Sequence, residues 1–320
     1  MTAAQLLYFL AQQTMFFSIP LLVVALGGMF SERSGVVNIA LEGIMIIGAF
    51  AGVLVIYSFQ ETMHGQLLLL LALLVAAASG LVFSLLHAYA AINMKADQVI
   101  SGTALNMIAP ALAIFVARMI RSVQQIPFKN RFHIKSVPLL GKIPVLGPML
   151  FQNAYITTYI GFGILVLSSI ILYKTRFGMR LRACGEHPQA ADSVGINVYK
   201  IRYAGVLVSG MLGGIGGLVF IIPTSTNFNA DVAGYGFLAL AVLIFGQWKP
   251  WRIFFSALFF GVLKTIAAVY SVIPIMQEWS ISNDIYKMVP YIATLVVLVF
   301  SSRSSQAPRA SGQPYDKSGR

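Results

Sequence analysis

Acidic residues are scarce in this chain: ten Asp and Glu stand against 22 Lys and Arg in 320 residues, and charges of both signs make up 10% of the whole. A soluble fold is roughly one-quarter charged, so a water-soluble enzyme of this size is excluded. Cysteine is scarcer still. The single Cys184 excludes an internal disulfide framework and reads as an incidental small loop residue. His64, His87, His133 and His187 are scattered along the chain, so no metal site is expected. There is no HExxH, no GxSxG and no pair of carboxylates inside an apolar run, which leaves nothing to build a hydrolase on. There is also no GxxxxGK[ST], so ATP cannot be held through a P-loop. No Lys or Arg precedes Arg33, so the basic start of a cleaved signal peptide is missing and the first apolar stretch is expected to stay as a span.

What is abundant is apolar surface, at 58% of residues. A membrane helix needs about 20 predominantly apolar residues. Apolar runs with at most one charged residue each, near 6 to 29, 39 to 59, 66 to 92, 99 to 117, 153 to 173, 203 to 222, 235 to 248, 253 to 273 and 288 to 300, predict about nine spans, the seventh and ninth short. The fold class is all-α: a polytopic helix bundle over 1 to 300 with a polar, disordered tail over 301 to 320. The cations form short clusters between spans without interleaved aromatics, so they read as topology signals and not as a nucleic-acid surface. If 174 to 202 is cytoplasmic, its side holds 14 Lys and Arg against seven on the other, predicting the N-terminus outside and the C-terminus inside. The Pro- and Gly-rich stretch 118 to 151 then forms an ordered external cap.

Within the long loop 174 to 202, Pro188 suits a first helical position and Gly195 a terminating one, predicting a two-turn helix over 188 to 194 with Ala190, Ala191 and Val194 on one face. Such a helix either docks into a groove on a soluble partner or lies on lipid headgroups. Asn38 and Glu42 are four apart and share a face. Glu42 is either a cavity-lining or gating carboxylate or an interfacial partner of Arg33. Gln98, Ser101, Gly102 and Asn106 give one polar, small face on a span that either packs helices or lines a polar pathway, with Asn106 as the preferred solute contact. Gly210, Gly213, Gly214, Gly216 and Gly217 contain two GxxxG spacings and predict close helix packing. Phe228, Tyr235 and Phe237 either stack on a flat ring or anchor the span at the interface. Lys264 falls near mid-span, where it either faces the pathway or snorkels to a headgroup.

RSGVVNIALEGIM (33 to 45), QVISGTALN (98 to 106) and GYGFLALAVLIFG (234 to 246) together resemble permease subunits of bacterial ABC importers. The branch is the one for simple sugars, branched-chain amino acids and nucleosides, with nucleoside permeases most alike over residues 15 to 300. The resemblance implies a type II importer-like permease in the bacterial cytoplasmic membrane; the residues read above as candidates for its substrate pathway are Asn38, Glu42, Gln98, Ser101, Asn106, Phe228, Tyr235 and Lys264. It makes Gly185, Glu186, Pro188, Ala190, Ala191 and Gly195 the coupling helix that docks on an ATPase, and so favours the docking reading. It further implies an ABC ATP-binding subunit that uses ATP and magnesium, a second permease, identical or different, and an extracytoplasmic solute-binding protein, with no cofactor on this chain. Tyr235, where the family suggests a basic residue, and Lys264, in a span usually apolar, depart from the pattern. A simple-sugar permease and an ion-coupled secondary transporter remain the alternative expectations.

Overall fold

The structure, a computed structural model, describes residues 3–63, 65–138, 140–270, 282–301 and 306–317. His64 and the stretch just after Tyr270, which closes the span expected over 253 to 273, lie outside them. The chain runs through α1 (Ala3–Arg33), α2 (Leu41–Phe59), α3 (Gln66–Ile92), α4 (Gln98–Arg121), α5 (Ile156–Lys174), α6 (Arg176–Glu186), α7 (Pro188–Ser193), α8 (Val198–Thr224), α9 (Tyr235–Phe245), α10 (Pro250–Val269) and α11 (Asn283–Ser301). Local chemistry sets several starts. The Asp97 carboxylate accepts from the amides of Val99 and Ile100 to open α4, the Asn197 amide oxygen accepts from Lys200 to open α8, and Pro188 and Pro250 occupy first-turn positions.

Among the described residues, seven helices are long and apolar enough to cross a membrane: α1 to α5, α8 and α10. The expected span over 235 to 248 is α9, whose 11 residues rise only about 16 Å against a hydrocarbon core of ~30 Å. The expected span over 288 to 300 corresponds to α11, which starts earlier, at Asn283.

The core is built on α8, packed by α1, α2 and α3, and its residues Leu218, Ile222, Ser209 and Gly213 are fully or almost fully buried. The glycine run works as read: a Cβ on Gly217 would overlap the Met45 carbonyl of α2, and one on Gly214 would overlap the Ala76 carbonyl of α3.

The bundle has two polar ends. At the cap end, residues 122 to 155 fold back over the helices as short strands and turns. Strand β1 (Ile126–Pro127) pairs antiparallel with β4 (Asn227–Phe228), and β2 (His133–Ser136) pairs with β3 (Gln152–Tyr155), so an otherwise helical fold carries two small ribbons. At the other end lie Arg33, Lys95, α6, α7, Lys249 and the described tail, joined by contacts named below.

The described part of the tail departs from the expected disorder, while 302–305 and 318–320 lie outside the described residues. Residues 306–317 form a strap in which the amide of Ala310 donates to the Gly185 carbonyl at 2.8 Å and that of Gly312 to the Gly35 carbonyl at 3.2 Å. Arg202, 1% exposed, donates to the Gln313 carbonyl at 2.9 Å, Lys95 meets Asp316 at 2.8 Å, and buried Tyr315 packs edge-on to Tyr199. Gly35 holds φ +98°, and a Cβ there would press on the Arg202 guanidinium. A polar composition raised the expectation of disorder, but backbone hydrogen bonds and two tyrosines give the strap its order.

Candidate functional site

The helix α9 begins inside the bundle, and an α-helix that begins there leaves its first amides without partners. Glu42, in the first turn of α2, satisfies two of the amides at this start: Oε1 accepts from the Gly234 amide at 2.9 Å and Oε2 from the Gly236 amide at 2.5 Å. A carboxylate at a helix N-terminus also opposes the positive end of the helix dipole. Glu42 is 8% exposed. The expected pairing with Arg33 is not found: Arg33 pairs with Glu186 at 3.7 Å and donates to the Trp248 carbonyl.

Tyr235, the first residue of α9, is thereby fixed at the wall of a cavity of about 590 Å³, which also takes Phe16 and Phe17 from α1, Phe220 from α8, Lys264 from α10 and Tyr291 from α11. That volume is within the ~300–1,000 Å³ of small-molecule sites. The Tyr235 and Phe220 rings lie 4.0 Å apart between centroids and tilted by 33°. The Tyr235 hydroxyl is buried with no hydrogen-bond partner among the described residues. The Lys264 Nζ lies 5.2 Å from the Tyr235 ring centroid and 4.7 Å from that of Tyr291, and donates to the Tyr291 hydroxyl at 3.2 Å. Cation–π contact and this hydrogen bond hold the ammonium at the cavity.

The remaining pathway candidates serve packing. Asn106 accepts from the Gly43 amide at 2.7 Å and donates to the Ile39 carbonyl at 2.9 Å, spending its side chain on the start of α2. Asn38, fully buried, donates to Ser209 and accepts from the Ala40 amide. Gln98 accepts from the Val37 amide, and Ser101 meets His87, whose other ring nitrogen lies 2.8 Å from the Val37 carbonyl. Phe228 is 1% exposed in the β1–β4 ribbon, against Phe50. In this structure all five make contacts within the fold: Asn38, Gln98, Ser101 and Asn106 hold the 34 to 43 turn, and Phe228 packs in the cap. The aromatic lining from α1, α8 and α11 was missed, because an aromatic inside an apolar run carries no sign of which face it takes.

At the opposite end, α7 starts at Pro188 as expected, ends at Ser193, and is followed by Gly195 at φ +84°. The supposed common face divides. Ala191 is 3% exposed and packs on Cys184, Val198 and Tyr315, whereas Ala190 is exposed and Val194 is 74% exposed. Gly185 and Glu186 belong to α6, an amphipathic helix not expected from the sequence. A Cβ on Gly185 would overlap the Arg33 carbonyl, and Pro188 is buried beside it. The outward surface of the loop is therefore Gln189, Ala190, Ser193 and Val194.

Among the described residues the bundle thus combines seven helices long enough to cross a membrane, a short α9 with a cavity at its start, and a short, partly exposed helix at the far end. Residues 10–298 match the family described as the branched-chain amino acid transport system permease component. The chain belongs to this permease family. It is 43% identical over 319 residues to the guanosine ABC transporter permease NupQ of Bacillus subtilis, covering 99% of each chain. It is 41% identical to the nucleoside ABC transporter permease NupC of Lactococcus lactis, over 99% of this chain and 100% of that one. It is 28% identical to a putative glucose ABC transporter permease, TsgC13, of Haloferax volcanii, over 90% of each. No solved structure matches the chain. As a member of this family it is a multi-pass membrane permease, a transport component.

Proposed function

We propose that the chain is the membrane subunit of an ATP-driven ABC importer for nucleosides. The observation that carries the reading is the cavity at the start of α9, where aromatic rings and one cation face a space of small-molecule size, in a chain alike from end to end to guanosine and nucleoside permeases. A nucleoside has a flat face for the rings, Tyr235 among them, and polar edges for Lys264, Gln13 and Thr224. The pathway candidates thus narrow to Tyr235 and Lys264, with Glu42 holding the α9 start in position.

In this reading α9 completes a crossing together with the re-entrant stretch before it, giving nine spans with α11. The cap end faces outward and takes the solute from a binding protein. The outer surface of α7 docks on an ATP-binding subunit that holds ATP and magnesium, and a second permease closes the other side of the passage. ATP hydrolysis on the partner changes which end is open. It moves solute only because the two states bind the solute differently.

The test is uptake of labelled nucleosides into vesicles carrying the permeases, the ATP-binding subunit and the binding protein. Nucleoside uptake that needs the ATP-binding subunit and is unaffected by excess glucose is expected. Uptake that persists without that subunit and stops when the ion gradient is collapsed would favour a secondary transporter instead.

A further inference from the structure

We propose that Lys264 reads the oxo edge of the base, so that the cavity selects 6-oxopurine nucleosides over 6-aminopurine ones; this rests on the nucleoside reading above. Among the described residues lining the cavity, Lys264 is the one charged side chain. An ammonium has three donors and no acceptor. One is engaged by the Tyr291 hydroxyl at 3.2 Å, and the flanking Tyr235 and Tyr291 rings hold the cation without using its remaining donors in conventional hydrogen bonds.

A 6-oxopurine presents two neighbouring acceptors on one edge, N7 and O6, and this pair is a matching target for a lysine. A 6-aminopurine presents N7 beside an amino donor, which meets the ammonium donor to donor. The Tyr291 hydroxyl beside this cation accepts from it and donates to the Ala233 carbonyl at 3.5 Å, so it is engaged within the protein. The Tyr235 hydroxyl is buried out of reach of the cavity, so Tyr235 meets the base through its ring and contributes no donor or acceptor to the choice. Gln13, also in the lining, offers both donor and acceptor, while the Thr224 hydroxyl donates to the Phe220 carbonyl at 2.6 Å and so has only an acceptor left, which has no partner in the O6/N7 edge. Only Lys264 is restricted to donation, so the base preference falls to it.

The complete transporter is reconstituted, and labelled guanosine uptake is competed with guanosine, adenosine and 7-deazaguanosine, always with the same binding protein, so that any selectivity of that protein cancels between variants. Lys264→Met is expected to weaken guanosine by roughly tenfold, the effect of losing a charge-assisted contact to the O6/N7 edge, while adenosine changes less than about twofold. The disadvantage of 7-deazaguanosine relative to guanosine should shrink in the same variant. Lys264→Arg, which donates to the same pair of acceptors, should keep the preference and serves as the folding control. An unchanged guanosine-to-adenosine ratio in Lys264→Met overturns the proposal, as does an equal loss for all three nucleosides. Failure of the wild type to take up any nucleoside removes the functional reading itself; uptake with a Lys264-independent base preference removes only this inference.

Discussion

Glu42 connects two helices that are distant in sequence, and each of its carboxylate oxygens holds one backbone amide at the start of α9. Replacing it by Ala leaves both amides buried without partners, at about 1–3 kcal/mol each. Glu42→Ala should therefore lower the thermal unfolding temperature of the purified protein by several degrees. Glu42→Gln, which keeps one acceptor oxygen, should fall between. An unfolding temperature for Glu42→Ala equal to that of the wild type would disprove the clamp. The sequence located this carboxylate and its cost, but not its partners, because Gly234 and Gly236 lie 192 and 194 residues away. Asn106 was legible in the same partial way: a polar side chain in a span was evident, while its choice of the Gly43 amide over a solute depends on how α2 and α4 meet.

The helix α7 has one face turned into the protein and one turned out. Ala190→Glu or Val194→Glu places a carboxylate on the outer face and should reduce co-purification of the ATP-binding subunit with little change in the permease's own stability. Ala191→Glu forces a charge among Cys184, Val198 and Tyr315 and should destabilise the loop itself, read as faster proteolysis of the permease alone. Equal behaviour of the three variants would contradict this division. The strap that covers the same region is tested through Cys184. Burial beneath this cluster pushes its thiol up to about 11, so it is neutral and shielded at neutral pH. Maleimide labelling of the native protein should be slow and should accelerate on Tyr315→Ala or on truncation before Gln306. Because the folded state favours the neutral thiol, its contribution to stability is present below about pH 8.5, where an unfolded thiol titrates, and is lost as the pH rises toward 11. Rapid labelling of the intact chain at pH 7 would show that the strap does not cover the loop. At this scale the α7 start was readable from Pro188 and its end from Gly195. Its inward face was not, because which side of a two-turn helix is buried depends on the tail that packs against it.

Across the whole molecule, the two polar ends sort the loops. Arg33, Lys95, the α6–α7 loop, Lys249 and the strap meet at one end, and the ribbons of 122 to 155 cover the other. In a Cys184→Ser background, Lys135→Cys on the cap should react with an impermeant thiol reagent in intact cells, and Val194→Cys only after permeabilisation; the reverse pattern would invert the proposed orientation. The sequence by itself determined the solvent, the helical class, most helix positions and the packing glycines, because apolar run length and small-residue spacing are local quantities. It also marked Tyr235 and Lys264 as residues to watch. Only the tertiary structure decided that these two face one cavity, that Glu42 closes the open start of α9, and that the polar tail lies ordered against Gly35 and Gly185. The physical reason is the same in each case: a buried amide, a cation or a ring is satisfied by whichever group the fold brings within a few ångströms, and that group is seldom near it along the chain.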